Sequence, residues 1–249
     1  AGDTDGKTYT VKVHDFSGNN RYIFDDFQTQ AVTLDLAEGG TYIFNMDDAS
    51  NASHPFSIGT AANGTVYTSG ITYFLDGVSK TYNEYTLGFS TASTRRLHIT
   101  VPASVPVLYY WCSVHSGMGG QINTNSTLGS SNFDGTLQST VKVNATAGFS
   151  IVSYTVGNFS GMTMGHGLGV SPVIAISKKR SGTSDWSVQF INKSDSSTDY
   201  MFLNKRDAPG DTSTYFTSTT VKDGFGTGSN GDTIIQYVFT EVEGFSKLG

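Results

Sequence analysis

The sequence predicts an all-β protein made of two consecutive β-sandwich domains, on three observations. Its 249 residues exceed what one small sandwich needs and leave each of two domains enough chain to bury a core. Gly is abundant at 29 residues, aromatics reach 12% and charged residues only 14%, which favours short strands and many turns over long charged helices. Apolar and polar residues alternate with period two in short runs spaced by roughly ten residues, and no window carries a sustained helical repeat.

In the first half the alternating runs are Thr8–Val13, Ala31–Leu36, Thr41–Asn45, Leu97–Val101 and Val107–Trp111, and Gln121-Ile122 opens a closing strand. Each run sends every second side chain to one face, as a strand buried on one side requires. From Asn123 to Asn132 the chain reads NTNSTLGSSN, with nothing to place in a core. That predicts a linker over 124–132 between a domain at 1–123 and a second at 133–249. Alternation resumes at Phe149–Tyr154, Val173–Ser177, Trp186–Ile191, Tyr200–Leu203 and Thr233–Phe239, with Gly-rich punctuation at Gly165–Gly169 and Gly224–Gly231. The last run continues through Glu241-Val242-Glu243-Gly244-Phe245, so the final strand is expected to extend almost to Gly249. The start at Ala1 without Met reads as a processed product or a fragment, and the natural C-terminus is expected beyond Gly249.

A net charge of −6 and a pI near 5.2, with no basic run longer than Arg95-Arg96 or Lys178-Lys179, leave no electrostatic footprint for nucleic acid. No stretch approaches the roughly 18 apolar residues of a membrane helix. The single cysteine excludes an internal disulfide. Asn-x-Ser/Thr triplets at Asn51, Asn63, Asn125, Asn144, Asn158 and Asn192 carry no weight in a chain this rich in those residues. The adjacent pairs Asp25-Asp26 and Asp47-Asp48 point to opposite sides of a strand or sit in turns, so they are not read as acid/base machinery. His98 alternates away from the apolar side of its strand, which makes it a surface residue, and His14 has no partner identifiable from sequence.

One segment does carry chemistry. Cys112-Ser113-Val114-His115-Ser116-Gly117-Met118 follows an apolar strand, and Gly117, Gly119 and Gly120 let the backbone turn before the closing strand. Copper exchanging one electron favours a soft thiolate, two imidazoles and a weak axial thioether, a mixture that suits both oxidation states. The loop offers thiolate, imidazole and thioether, and His54 in Ser53-His54-Pro55-Phe56 supplies a second imidazole one loop beyond the strand Thr41–Asn45. Over roughly Lys7–Asn123, Asn45…His54-Pro55-Phe56 and Tyr110–Gly120 resemble the two ligand loops of the cupredoxin family, with the Cys-x₂-His-x₂-Met spacing of its short-loop members. The resemblance implies a Greek-key β-sandwich holding one copper ion in a type 1 site, with His54 and His115 as imidazole ligands, Cys112 as thiolate and Met118 as axial ligand. One departure bears on the surroundings of the ligands. Many cupredoxins follow the first histidine with an Asn that ties the loops together, whereas Pro55 has no N–H to donate.

Beyond Asn132 there is no second cysteine, one histidine and no nucleophile-elbow serine, so the second domain reads as structural and the chain as no enzyme. Phe133-Asp134-Gly135-Thr136, Ala147–Tyr154, Gly165-His166-Gly167-Leu168-Gly169 with Pro172, Trp186 and Phe239–Lys247 resemble a β domain of tailed-phage virion proteins, marine cyanophages among them. That resemblance implies a packing role for His166. Together the two halves imply a virion structural protein, a capsid decoration, knob or tail-fibre appendage, with other virion proteins, copies of itself in a homo-oligomer or a host surface as partners. The alternative is a mononuclear type 1 copper electron carrier of the periplasm or the extracellular space. A copper oxidase or nitrite reductase would need further His pairs, and Pro55-Phe56-Ser57-Ile58-Gly59 supplies none.

Overall fold

The computed structural model describes residues 6–124, 126–212, 216–223 and 228–247. The chain is all-β and divides into two compact units between Ser130 and Ser131. The Asn125 triplet, part of the Gly224–Gly231 punctuation, Ala1 and Gly249 lie outside the described residues.

The first unit contains β1 (Thr8–Asp15), β2 (Asn20–Phe24), β3 (Leu34–Asp35), β4 (Thr41–Asn45), β5 (Phe56–Gly59), β6 (Ile71–Leu75), β7 (Val78–Lys80), α1 (Tyr82–Gly88), β8 (Arg95–Thr100), β9 (Leu108–Cys112) and β10 (Gly120–Asn123). They form a sandwich of a six-stranded sheet, β2-β1-β4-β8-β6-β7, and a four-stranded sheet, β3-β10-β9-β5. β1 pairs with β4, and β3 with β10, in parallel; the other pairs are antiparallel.

Alternation builds the core. Tyr9 and Val11 point inward while Thr8 and Thr10 stay outside, and Tyr42 and Phe44 alternate with Thr41 and Ile43. The inward rings meet in the core, Phe44 stacking on Phe56 across the two sheets at 5.0 Å and Phe56 stacking on Tyr110 within its own sheet at 5.8 Å. Burying such a ring contributes about 3 kcal/mol. A buried phenol also needs a partner for its hydroxyl. Tyr22 donates to the His54 carbonyl, Tyr85 to Phe56 and Tyr110 to Val32.

Some elements differ from expectation. The run Ala31–Leu36 yields only the strand Leu34–Asp35, because Ala31 lies in the left-handed region at φ 52°. A helix forms at Tyr82–Gly88 where none was expected; seven residues are too few to show a repeat. It is held by a capping box, with Thr81 Oγ accepting the Glu84 N–H and Glu84 accepting the Thr81 N–H. Arg95, buried at 6% exposure, donates to the Phe89 carbonyl at the other end of that helix.

Described residues of the polar stretch 124–132 are bonded to the first unit rather than solvated throughout. Thr124 is buried and donates to the Val105 and Pro106 carbonyls, and Ser126 donates to Leu36. Ser130–Asn132 forms β11.

The second unit continues with β12 (Ser139–Asn144), β13 (Phe149–Thr155), β14 (Thr163–Gly165), β15 (Ile174–Lys179), β16 (Ser187–Ile191), β17 (Thr198–Phe202), β18 (Gly210–Thr212), β19 (Thr220–Lys222) and β20 (Thr233–Phe239). One eight-stranded sheet, β11-β12-β13-β20-β15-β16-β17-β18, accompanies a two-stranded ribbon, β14-β19. Val152, Val238, Ala175 and Ile234 from the sheet pack with Met164 and Val221 from the ribbon. The strand expected to run to Gly249 ends at Phe239. Val242 and Ser246 bridge across a turn containing Gly244 at φ 75°, which breaks the ladder and leaves Phe245 exposed.

Candidate metal centre

The register between β5 and β9 builds the site. Phe56 lies directly opposite Cys112 in this antiparallel pair, so residues just before Phe56 run beside residues just after Cys112. His54 therefore arrives at the end of the sheet where the Cys112 side chain emerges. A short 3₁₀ turn, Ala49–Asn51, brings the chain there from β4, capped by Asp48 accepting the Ser50 N–H, and the His54 N–H then donates to the Asn51 carbonyl at 2.8 Å. On the other side, β9 and β10 pair through Tyr110 and Gly120, and the intervening loop carries His115 and Met118 back over the same end. Gly119 is required there: a Cβ at this position would lie 1.7 Å from the Tyr110 carbonyl oxygen.

His54, Cys112 and His115 offer ligand atoms that all lie within 4.8 Å of one another. Cys112 Sγ is 3.9 Å from His54 Nδ1 and 3.7 Å from His115 Nδ1. Two donors about 2.0–2.3 Å from one metal ion can lie this far apart, so the thiolate can share a single ion with either imidazole. The two imidazole rings are tilted by 47° with centroids 4.6 Å apart. The His115 N–H also donates to Cys112 Sγ at 3.4 Å, which fixes the sulfur from a third side.

His54 and Cys112 are buried while His115 is exposed, as is its neighbour Val114 at 64%. Burial first, and His115 second, hold the His54 imidazole below its usual pKa, so it is held neutral, the form that binds metal. Met118 is buried at 1% exposure on the same loop, its carbonyl accepting the Tyr22 N–H at 3.1 Å. The donor set, one thiolate and two Nδ1 imidazoles at one end of a sandwich with a thioether residue on the same loop, fits a single soft or borderline ion.

The other sequence candidates take structural places. Asp25 pairs with Lys7 and Asp26 with Lys12; Asp47 pairs with Arg96. His14 packs edge-on against Phe16, and His98 is half-buried against Phe74. His166 is fully buried in the second unit, its Nδ1 accepting the Leu168 N–H and its Nε2 donating to the Thr217 carbonyl, both at 3.1 Å.

Two residues that shape the site escaped sequence reading. Tyr22 and Asn51 are both fully buried beside the ligand loops. Nothing local in Asn20-Arg21-Tyr22-Ile23-Phe24 says that its tyrosine reaches His54.

Residues 123–249 match the family model described as a domain of unknown function (DUF7483). No curated protein matches the chain.

Proposed function

The chain belongs to the DUF7483 family, whose description assigns no activity, and from that premise we propose a structural protein of a tailed-phage virion whose first unit binds one copper ion. The observation that carries the copper reading is the pair of sulfur–nitrogen distances, 3.9 and 3.7 Å, from one buried cysteine to two imidazole Nδ1 atoms. His54, Cys112 and His115 would hold the ion, with the Met118 thioether as a further weak ligand; copper so held would supply one-electron exchange. The virion reading rests on the second unit. Its motifs resemble phage β domains, and among the described residues the His–Cys–His group is the only cluster able to hold a metal and lies in the first unit. His166 spends both ring nitrogens on backbone groups, which suits packing and leaves none for catalysis. Homo-oligomers and contacts with other virion proteins follow from that role.

A second reading, an electron carrier, is favoured by the exposure of His115 and Val114, which puts one ligand edge at the surface where a redox partner could approach.

Titrating the purified full chain with Cu(II) tests the copper assignment: an intense thiolate-to-copper absorption saturating at one equivalent is expected, and its absence overturns it. Mass spectrometry of intact particles tests the virion assignment. A chain absent from particles and monomeric at high concentration leaves the carrier as the better account.

A further inference from the structure

The strand β2 contributes no ligand, yet one of its residues touches both ligand loops. The Tyr22 backbone N–H donates to the Met118 carbonyl at 3.1 Å. Its phenol donates to the His54 carbonyl at 2.8 Å. The ring between those two bonds is fully buried, edge-on to Phe56 at 5.1 Å and tilted against Tyr110 at 6.4 Å. Its backbone is held by ladder pairing with Val13. The sandwich thus fixes the ring, and the ring fixes the gap between the loops.

We propose that Tyr22 is a positioning residue of the metal centre: its N–H and O–H clamp the Met118 loop and the His54 loop at the separation that brings two imidazoles to one thiolate. This rests on the copper reading of the site and goes beyond it, because it assigns control of the site's geometry to a residue outside the ligand set. The clamp works through the carbonyls of two ligand residues, so losing the phenol frees the His54 backbone while leaving every donor atom in place.

Tyr22→Phe removes only the hydroxyl and keeps the packed ring. Tyr42→Phe is the control, since it deletes the hydroxyl of an equally buried ring, bonded to Ser130 Oγ at 2.6 Å and to the Ala37 N–H at 2.8 Å, outside both ligand loops. In the full chain without metal, amide hydrogen exchange at His54 and Ser113 should accelerate about tenfold or more in Tyr22→Phe and stay unchanged in the control. With Cu(II), Tyr22→Phe should bind about tenfold more weakly, the scale seen when groups that orient metal ligands are lost, and its thiolate-to-copper band should shift. Unchanged exchange in Tyr22→Phe, equal effects in both variants, or faster exchange with unaltered copper affinity and spectrum would each overturn the proposal. If the wild-type chain binds no copper, the functional reading fails, and the exchange comparison alone then decides whether Tyr22 clamps the loops.

Discussion

The Ser113 N–H donates to the Pro55 carbonyl at 3.0 Å, joining the residue that follows Cys112 to the residue that follows His54. A proline beside the first histidine cannot donate a hydrogen bond across to the second loop. Here the bond runs in the opposite direction, with the cysteine loop as donor and the proline carbonyl as acceptor. The β5–β9 register makes this automatic, because Pro55 and Ser113 flank the Phe56–Cys112 pair. The two ligand loops are therefore tied by main chain.

The ligand set separates by substitution. Cys112→Ser replaces a soft thiolate with a hard, weakly acidic hydroxyl, and is expected to abolish both the colour and tight copper binding. Met118→Leu is expected to leave a coloured site with a changed reduction potential. Absorption spectroscopy and potentiometry on the two variants check this, and equal loss in both would remove Met118 from the weak-ligand role.

Gly119→Ala tests the close approach of the ligand loop to β9. A Cβ placed 1.7 Å from the Tyr110 carbonyl oxygen must displace main chain on one side or the other, so a loss of about 3 kcal/mol is expected. Urea unfolding read through Trp111 fluorescence measures it. A loss below about 1 kcal/mol would mean that the loop shifts freely.

His166 should make the second unit sensitive to acid. Burial lowers its pKa below the usual 6.5, so the unfolded chain binds the proton more tightly than the folded one. Stability is then fully present above the unfolded value and is lost as pH falls below it towards the folded pKa. Protonation also turns Nδ1 into a donor facing the Leu168 N–H. Trp111→Phe leaves Trp186 as the sole tryptophan, since the chain has two, and unfolding curves from pH 8 to 5 should show the loss. His166→Gln should abolish that slope; an unchanged slope would assign it elsewhere.

Thr81→Ala should cost about 1 kcal/mol by deleting the hydroxyl that caps α1. In a thermal melt of the first unit this corresponds to a fall of about 4–8 °C. The copper spectrum should be unaffected, because the helix carries no ligand.

Much of this arrangement was legible in the sequence. Strands β1, β4, β8, β9, β13 and β20 coincide with the alternating runs, because a half-buried strand must repeat with period two. The ligand loop was legible because Cys112, His115 and Met118 are close along the chain. The short strand β7 and the helix α1 were not, since three or seven residues cannot display a period. The last strand was overextended, because alternation persists through Val242 and Phe245 while Gly244 turns the backbone away.

By itself the sequence determined the strand pattern, the all-β class and the types of donor atom available for a metal. Only the tertiary structure decided that they meet. His54 and Cys112 are separated by 58 positions, and nothing local links them; the Phe56–Cys112 register and the two hydrogen bonds of Tyr22 do. Periodicity is a property of neighbouring residues and can be read along a chain, whereas register depends on the packing of whole strands against a shared core. That packing, set by Tyr22, Phe44, Phe56 and Tyr110 acting together, holds two imidazoles 3.7 and 3.9 Å from one sulfur.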